Sequence, residues 1–230
     1  MEPVVALVVA AGSGSRLGGE GPKALRELDG RPLVSHSLAR LAAGGVNVAV
    51  IVIAAGLEDA FAGVVATAPI PVSLVAGGAE RQDSVLAGLD AIRADPYLSG
   101  ARFVLVHDAA RALVPAQVVR RVIAALEAGA VAAVPVLPVV DTIREVTATG
   151  STTVDRSLLR VVQTPQGFAR DVLDRAHRMV SEVGVQVTDD AAAVEALGEP
   201  VVLVAGDREA FKVTEPLDLL FAEAIVRSHE

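Results

Sequence analysis

Near its start the chain reads Ala10-Ala11-Gly12-Ser13-Gly14-Ser15-Arg16-Leu17-Gly18, and Pro22-Lys23 follows shortly after. Glycines at this spacing let backbone N–H groups approach an anionic oxygen, and the flanking arginine and lysine supply charge for a phosphate. Two well-known phosphate loops are excluded by spacing. Leu17 stands where the dinucleotide fingerprint needs its third glycine, and Lys23 lacks the following Ser or Thr of a mononucleotide P-loop. The same residues would also serve as a plain strand-to-helix turn with two solvated cations.

Two further loops carry similar chemistry. Gly77-Gly78-Ala79-Glu80-Arg81-Gln82-Asp83-Ser84-Val85 pairs two glycines with a helix start, which offers N–H donors and positive dipole to an anionic or carbonyl group. In Val106-His107-Asp108-Ala109-Ala110-Arg111, Asp108 can ligate a phosphate-bound divalent metal or accept a substrate hydroxyl, and Arg111 can fork onto a phosphate. Asp108 and Arg111 could equally be an ion pair; His107 reads as a structural, neutral core histidine. Asp141-Thr142, Asp155-Arg156, Gln163–Phe168, Thr188–Ala191 and Phe211–Thr214 could singly be turn, cap or surface. Thr188 and the two aspartates after it would cap a helix over Ala191–Leu197 whatever else they touch.

These loops need a scaffold, and the spacing of apolar residues supplies one. Short strand-like runs at Val4–Val9, Val48–Ala54, Val72–Val75, Phe103–Val106, Ala130–Pro135 and Val201–Val204 alternate with helix-period stripes. The stripes run through Val34, Leu38 and Leu41; Val85, Leu89 and Ile92; Val118, Val122 and Leu126; and Val172, Ala176, Met179 and Val183. A last helix is expected after Thr214 as N-cap, with Pro216 in its first turn, running through Leu217, Leu220, Phe221 and Ala224. The alternation predicts one α/β domain over residues 1–230: a Rossmann-like, mostly parallel sheet with helices on both faces. The first loop then lies at the carboxyl end of a strand, where such sheets bind ligands. Residues 138–155 break the pattern and read as two strands about a Gly150 turn, a projecting β-hairpin arm that either is a surface insertion or reaches a site or partner.

Composition narrows the function classes. A formal net charge of −8 disfavours a hold on a nucleic-acid backbone, and five Phe with one Tyr are too few and scattered for base stacking. The absence of cysteine excludes a disulfide framework, a thiolate metal site and a cysteine nucleophile. The apolar run from Val4 breaks at Gly12, too short for a membrane span, so no membrane partner and a cytoplasmic location are expected. Lys23 and Lys212 are the only lysines beside eighteen arginines.

Taken in order, the loops resemble the 2-C-methyl-D-erythritol 4-phosphate cytidylyltransferase family over nearly the whole chain. The resemblance rests on AAGSGSR with PK (10–16, 22–23), GGAERQDSV (77–85), VHDAAR (106–111), DT (141–142), DR (155–156), QTPQ (163–166), TDDA (188–191) and FKVT (211–214). The chain departs from the family pattern at Ala24, Ala112, Arg160, Ala192 and Ala210, none of which removes a charged group carried over below. The resemblance implies transfer of CMP from CTP to 2-C-methyl-D-erythritol 4-phosphate, with Mg²⁺ as cofactor and a homodimer joined through the 138–155 arm. CTP would be held by Ala10, Ala11, Gly12, Gly14, Arg16, Lys23, Gly77, Gly78, Ser84, Asp108 and Ala109. Asp108, Arg111, Thr142, Arg156 and Lys212 would meet the acceptor. Arg16, Lys23, Arg156 and Lys212 would be catalytic, and Asp108 the protein group able to reach the metal. Competing expectations are another sugar-phosphate or cofactor nucleotidyltransferase and a catalytically silent nucleotide-binding protein.

A phosphate oxygen is already anionic at neutral pH, so the reaction needs no base. It needs two anions held in line, and cations at the phosphorus.

Overall fold

The computed structural model describes residues 2–12, 14, 17–18 and 21–228. Its first half runs β1 (Val4–Val9), β2 (Glu27–Leu28), β3 (Arg31–Pro32), α1 (Leu33–Ala43), β4 (Val48–Ile53), α2 (Glu58–Thr67), β5 (Val72–Ala76), α3 (Arg81–Ala94), β6 (Phe103–Asp108) and α4 (Ala116–Glu127). Then follow β7 (Ala132–Pro138), β8 (Arg144–Thr147), β9 (Gly150–Thr153), β10 (Arg160–Val162), β11 (Gln166–Ala169), α5 (Arg170–Glu182), α6 (Asp190–Ala196), β12 (Val202–Ala205) and α7 (Pro216–Ser228).

The main sheet has the order β10-β7-β11-β6-β1-β4-β5, with β12 on the other side of β7. β5, β4, β1 and β6 are mutually parallel, and β12 is parallel to β7; β10 and β11 run antiparallel to their neighbours. This is the expected mixed, mostly parallel α/β sheet. Because β1 is flanked by β4 and β6, chain direction across the sheet reverses there, and a crevice opens at its carboxyl end.

Alternate residues of each central strand face opposite layers, as a two-residue period requires. Ala6, Val8, Ile51 and Leu105 pack with Val34, Leu38, Phe61 and Val122 of α1, α2 and α4. Val5, Leu7, Val50 and Val104 pack with Val85, Leu89, Val172 and Val194 of α3, α5 and α6. Each fully buried aliphatic or aromatic side chain contributes roughly 1.5–3 kcal/mol. No helix among the described residues is long and apolar enough to cross a membrane.

Several local expectations change. The buried stripe of α5 is Val172, Leu173, Ala176, His177 and Val180, and Val183 lies past the helix end, 65% exposed. Thr214 does not cap α7 by accepting a bond: its hydroxyl and N–H both donate to Asp218 of the first turn, over 2.7 Å each. Leu217, Leu220 and Phe221 of α7 stay exposed, and the helix packs instead through Ala222 on Leu17, Leu28 and Leu33. The arm is present as β8 paired with β9, and the turn is made by the two residues before Gly150, which opens β9 opposite Thr147.

Candidate active site

Register brings the three loops to one level. Val9 at the end of β1 lies beside Asp108 of β6 and Val52 of β4. The ladder continues one step into the loops through Ala10 N–H to Val52 O (2.8 Å), Ala109 N–H to Val9 O (3.1 Å) and Gly77 N–H to Ile53 O (2.8 Å). A cleft of about 360 Å³ sits over these ends. Val9, Ala10, Ala11, Gly12 and Gly14 form one wall with Lys23 and Ala24; Gly78, Ala79, Glu80, Arg81 and Ser84 form the second. Asp108, Ala109, Ala110, Lys212 and Thr214 complete it.

Two glycines are required by geometry. Gly14 has φ +67°, and a side chain there would overlap the Lys23 side chain. At Gly78 an added Cβ would overlap that of Asp83, whose carboxylate accepts the Glu80 N–H (3.1 Å) at the start of α3. Gly77 packs on Ser84, where a Cβ would lie 2.6 Å from the hydroxyl oxygen, and does not line the cleft.

Asp108 is the electrostatic centre. Lys212 Nζ lies 2.9 Å from Oδ2, Arg111 Nε 3.7 Å from Oδ2 and Arg81 Nε 3.6 Å from Oδ1. Burial alone would raise its carboxyl; Lys212 and Arg81, with Arg111, outweigh burial and bring it down to about 2. Asp108 is therefore ionised at neutral pH and holds the Lys212 ammonium at the cleft. Neighbouring His107 is fully buried with Nδ1 3.1 Å from Thr164 Oγ1, and burial lowers it to about 4, so it is the neutral core residue its sequence context suggests.

Arg81 is a cleft residue that sequence reasoning passes over, because its partners are distant in the chain. Its Nη2 donates to Asp190 Oδ2 over 2.7 Å, and His177 Nε2 stands 3.1 Å from Asp190 Oδ1. Asp190 has no solvent exposure. The expected cap of α6 is Asp189, which accepts the Ala192 N–H (2.9 Å).

The other sequence candidates divide. Ala10, Ala11, Gly12, Gly14, Lys23, Gly78, Ser84, Asp108, Ala109 and Lys212 meet in the cleft. Arg16 lies outside the described residues. Arg111 does not line the cleft and donates to the carbonyls of Ala210 (2.7 Å) and Val162 (3.3 Å), so it ties down the segment that carries Lys212. Thr142 and Arg156 are exposed on the arm and do not line the cleft of their own chain; Arg156 donates to the Val140 carbonyl.

Fold and site together define the class: a doubly wound α/β protein of the nucleotide-binding kind, with glycine loops and two lysines gathered at the switch point of its sheet. The model of the 2-C-methyl-D-erythritol 4-phosphate cytidylyltransferase family matches residues 4–228, and the chain belongs to that family. A relative of that name from Nocardia farcinica is 49% identical over 97% of this chain and 94% of its own length. One from Saccharopolyspora erythraea is 48% identical over 97% and 99%. The crystal structure of the Thermus thermophilus enzyme of the same name superimposes with a TM-score of 0.80 at 36% identity, over 99% of this chain and 100% of that one. The Anaerococcus prevotii 4-diphosphocytidyl-2C-methyl-D-erythritol synthase gives 0.85 at 25% identity, over 98% and 99%.

Proposed function

We propose that this cleft transfers the cytidylyl group of CTP to 2-C-methyl-D-erythritol 4-phosphate, in the non-mevalonate isoprenoid route. A 4-phosphate oxygen forms a bond to the α-phosphorus while the bond from that phosphorus to the bridging oxygen of pyrophosphate breaks. The products are 4-diphosphocytidyl-2-C-methyl-D-erythritol and pyrophosphate. The observation that carries the reading is the convergence of Lys23, from the first loop, with Lys212, seated 2.9 Å from Asp108, in one cleft of a chain from this family.

The residues divide the work by chemistry. The glycine loop admits the triphosphate to its backbone, and Lys23 with Arg16 stabilises the negative charge that builds on the α-phosphorus. Gly78 and Ser84 surround base and ribose, and Gly77 supports Ser84 from outside the cleft. Lys212, a point charge already oriented by Asp108, aligns the acceptor phosphate. Orientation of this kind can supply roughly 7–11 kcal/mol of the barrier.

The donor set fits a Mg²⁺ that arrives on the triphosphate. Among the described residues no group of three or more His, Cys, Asp or Glu is placed to hold a metal, and Mg²⁺ commonly takes one or two carboxylates plus substrate phosphates. Asp108 is the carboxylate at the cleft floor that would share it, and the ion would neutralise phosphate charge.

A homodimer through the 138–155 arm is part of the same proposal. Val146 and Leu158 are 84% and 81% exposed on or beside a two-stranded hairpin, which is marginally stable alone. An arm laid on a second copy would cover them and carry Thr142 and Arg156 to that copy's acceptor site. An enzyme drawing on CTP and a metabolic phosphate fits the cytoplasm.

The test is pyrophosphate release with Mg²⁺, each of the four nucleoside triphosphates and a panel of sugar and polyol phosphates. Release confined to CTP with 2-C-methyl-D-erythritol 4-phosphate is expected. Turnover of a different pair alone would replace the reading, and CTP binding with no turnover would make the chain a silent binder.

A further inference from the structure

Lys212 sits on an irregular segment between β12 and α7 whose position must come from elsewhere. We propose that Gln163 is a positioning residue for Lys212, a role that rests on the cytidylyl-transfer reading above. Gln163 is 2% exposed and lies between β10 and β11. Its Nε2 donates to Asp207 O over 2.7 Å, and its Oε1 accepts from Asp207 N–H over 3.0 Å. One side-chain amide thus closes both backbone groups of a single residue, as an adjacent strand would. Gln163 is itself fixed to the sheet, its N–H donating to Pro135 O over 2.8 Å.

From Asp207 the constraint passes to Lys212 through a short, tied path. The Asp207 carboxylate accepts the Glu209 N–H (2.9 Å) and its carbonyl accepts the Ala210 N–H (3.1 Å), which forms the 3-10 turn Arg208–Ala210. On the far side of Lys212, Val213 N–H donates to Ala110 O over 2.9 Å. Lys212 is therefore held between the Gln163 strap and the loop that follows Asp108. The sheet does not need this strap: β12 pairs with β7 from Val202 to Ala205, and Gly206 N–H extends the ladder to Val136 O (2.9 Å). The amide acts just beyond the point where strand pairing stops. Gly206 makes room for it, since a Cβ there would overlap Gln163 Oε1.

The experiment is a kinetic double-mutant cycle on the full chain, with Q163M removing both hydrogen bonds at similar side-chain length and G206A displacing the amide without altering it. Pyrophosphate release is measured with CTP and 2-C-methyl-D-erythritol 4-phosphate, with circular dichroism as the check on folding. Each variant is expected to lower kcat on the order of 10- to 100-fold with KM for CTP little changed. In a K212A background, neither is expected to lower kcat further, because the residue acts through the ammonium. Should Q163M fail to fold, G206A alone decides. Wild-type kcat in the folded variants, or the same loss with and without Lys212, overturns the proposal and leaves the site reading standing. Wild-type kcat in K212A itself overturns both.

Discussion

Arg81 is joined to Asp190 across 109 residues of sequence by a 2.7 Å charge-assisted hydrogen bond, in which the carboxylate is wholly buried. The same guanidinium places Nε 3.6 Å from Asp108, so one side chain ties the cleft floor to a buried anion in the first turn of α6. Burial would lower the Arg81 pKa, and Asp190 more than reverses that, so the pair is charged on both sides. Arg81→Ala leaves Asp190 with only His177, and unfolding by urea is expected to show a loss of about 3 kcal/mol. Arg81→Lys keeps the charge without the fork, and a stability equal to wild type would refute the two-carboxylate role.

The cationic groups should separate kinetically. Lys23→Ala and Lys212→Ala are each expected to lower kcat by about 10²–10³-fold, the usual effect of losing one preorganised group that meets developing charge. Arg16→Ala should behave as Lys23→Ala does. Arg156→Ala should raise KM for the acceptor phosphate while KM for CTP stays near wild type. Steady-state kinetics with each substrate varied in turn checks the split.

Acid should weaken the fold through His107. Its pKa falls from 6.5 to about 4 because burial favours the neutral ring. Between those values the unfolded chain binds a proton that the folded chain does not, so stability drops as pH falls, by about 3 kcal/mol in all. Asp108 acts in the same direction in a lower window: its contribution is present above the ordinary carboxylate range and is lost as pH falls from there through about 2. Urea midpoints of nucleotide-free protein, followed from neutral to mildly acid pH, should decline for wild type and decline less for His107→Gln. Equal slopes would show that His107 is not the group being protonated.

The arm makes a prediction about mixing. If Arg156 of one chain serves the cleft of another, Lys23→Ala and Arg156→Ala chains, each impaired alone, should complement when refolded together. About a quarter of the sites in an equal mixture would then be intact. Recovery of pyrophosphate release measures this. Val146→Asp should yield monomers by sedimentation, and an unchanged dimer would move the interface away from β8 and β9.

The parallel core is legible in the chain because β1, β4 and β6 are apolar runs of strand length, and the loops after them carry glycine or Asp where such strands end. β11 is not: Gln166-Gly167-Phe168-Ala169 has no β-branched residue, and it enters the sheet because Gly167 lets α4 close on it, where a Cβ would overlap Val122. The same limit applies to the site. Lys23, Asp108 and Lys212 stand in loops of recognisable composition, whereas Arg81–Asp190 and Gln163–Asp207 are pairings set by strand order. Helical periodicity also misjudges α7, because its apolar residues Leu217, Leu220 and Phe221 are not turned toward the sheet.

The scarcity of lysine turns the cleft into a chemically addressable place. The ε-amines of Lys23 and Lys212 are the only side-chain amines in the chain, and both line the cleft. Acylation of lysine is thereby confined to one spot on the molecule, and a lysine-specific protease has only the bonds after Lys23 and Lys212 to cut. Occupancy of the cleft can accordingly be read by mass spectrometry, with no engineered label, as protection of the Lys23 peptide by the triphosphate and of the Lys212 peptide by the acceptor phosphate.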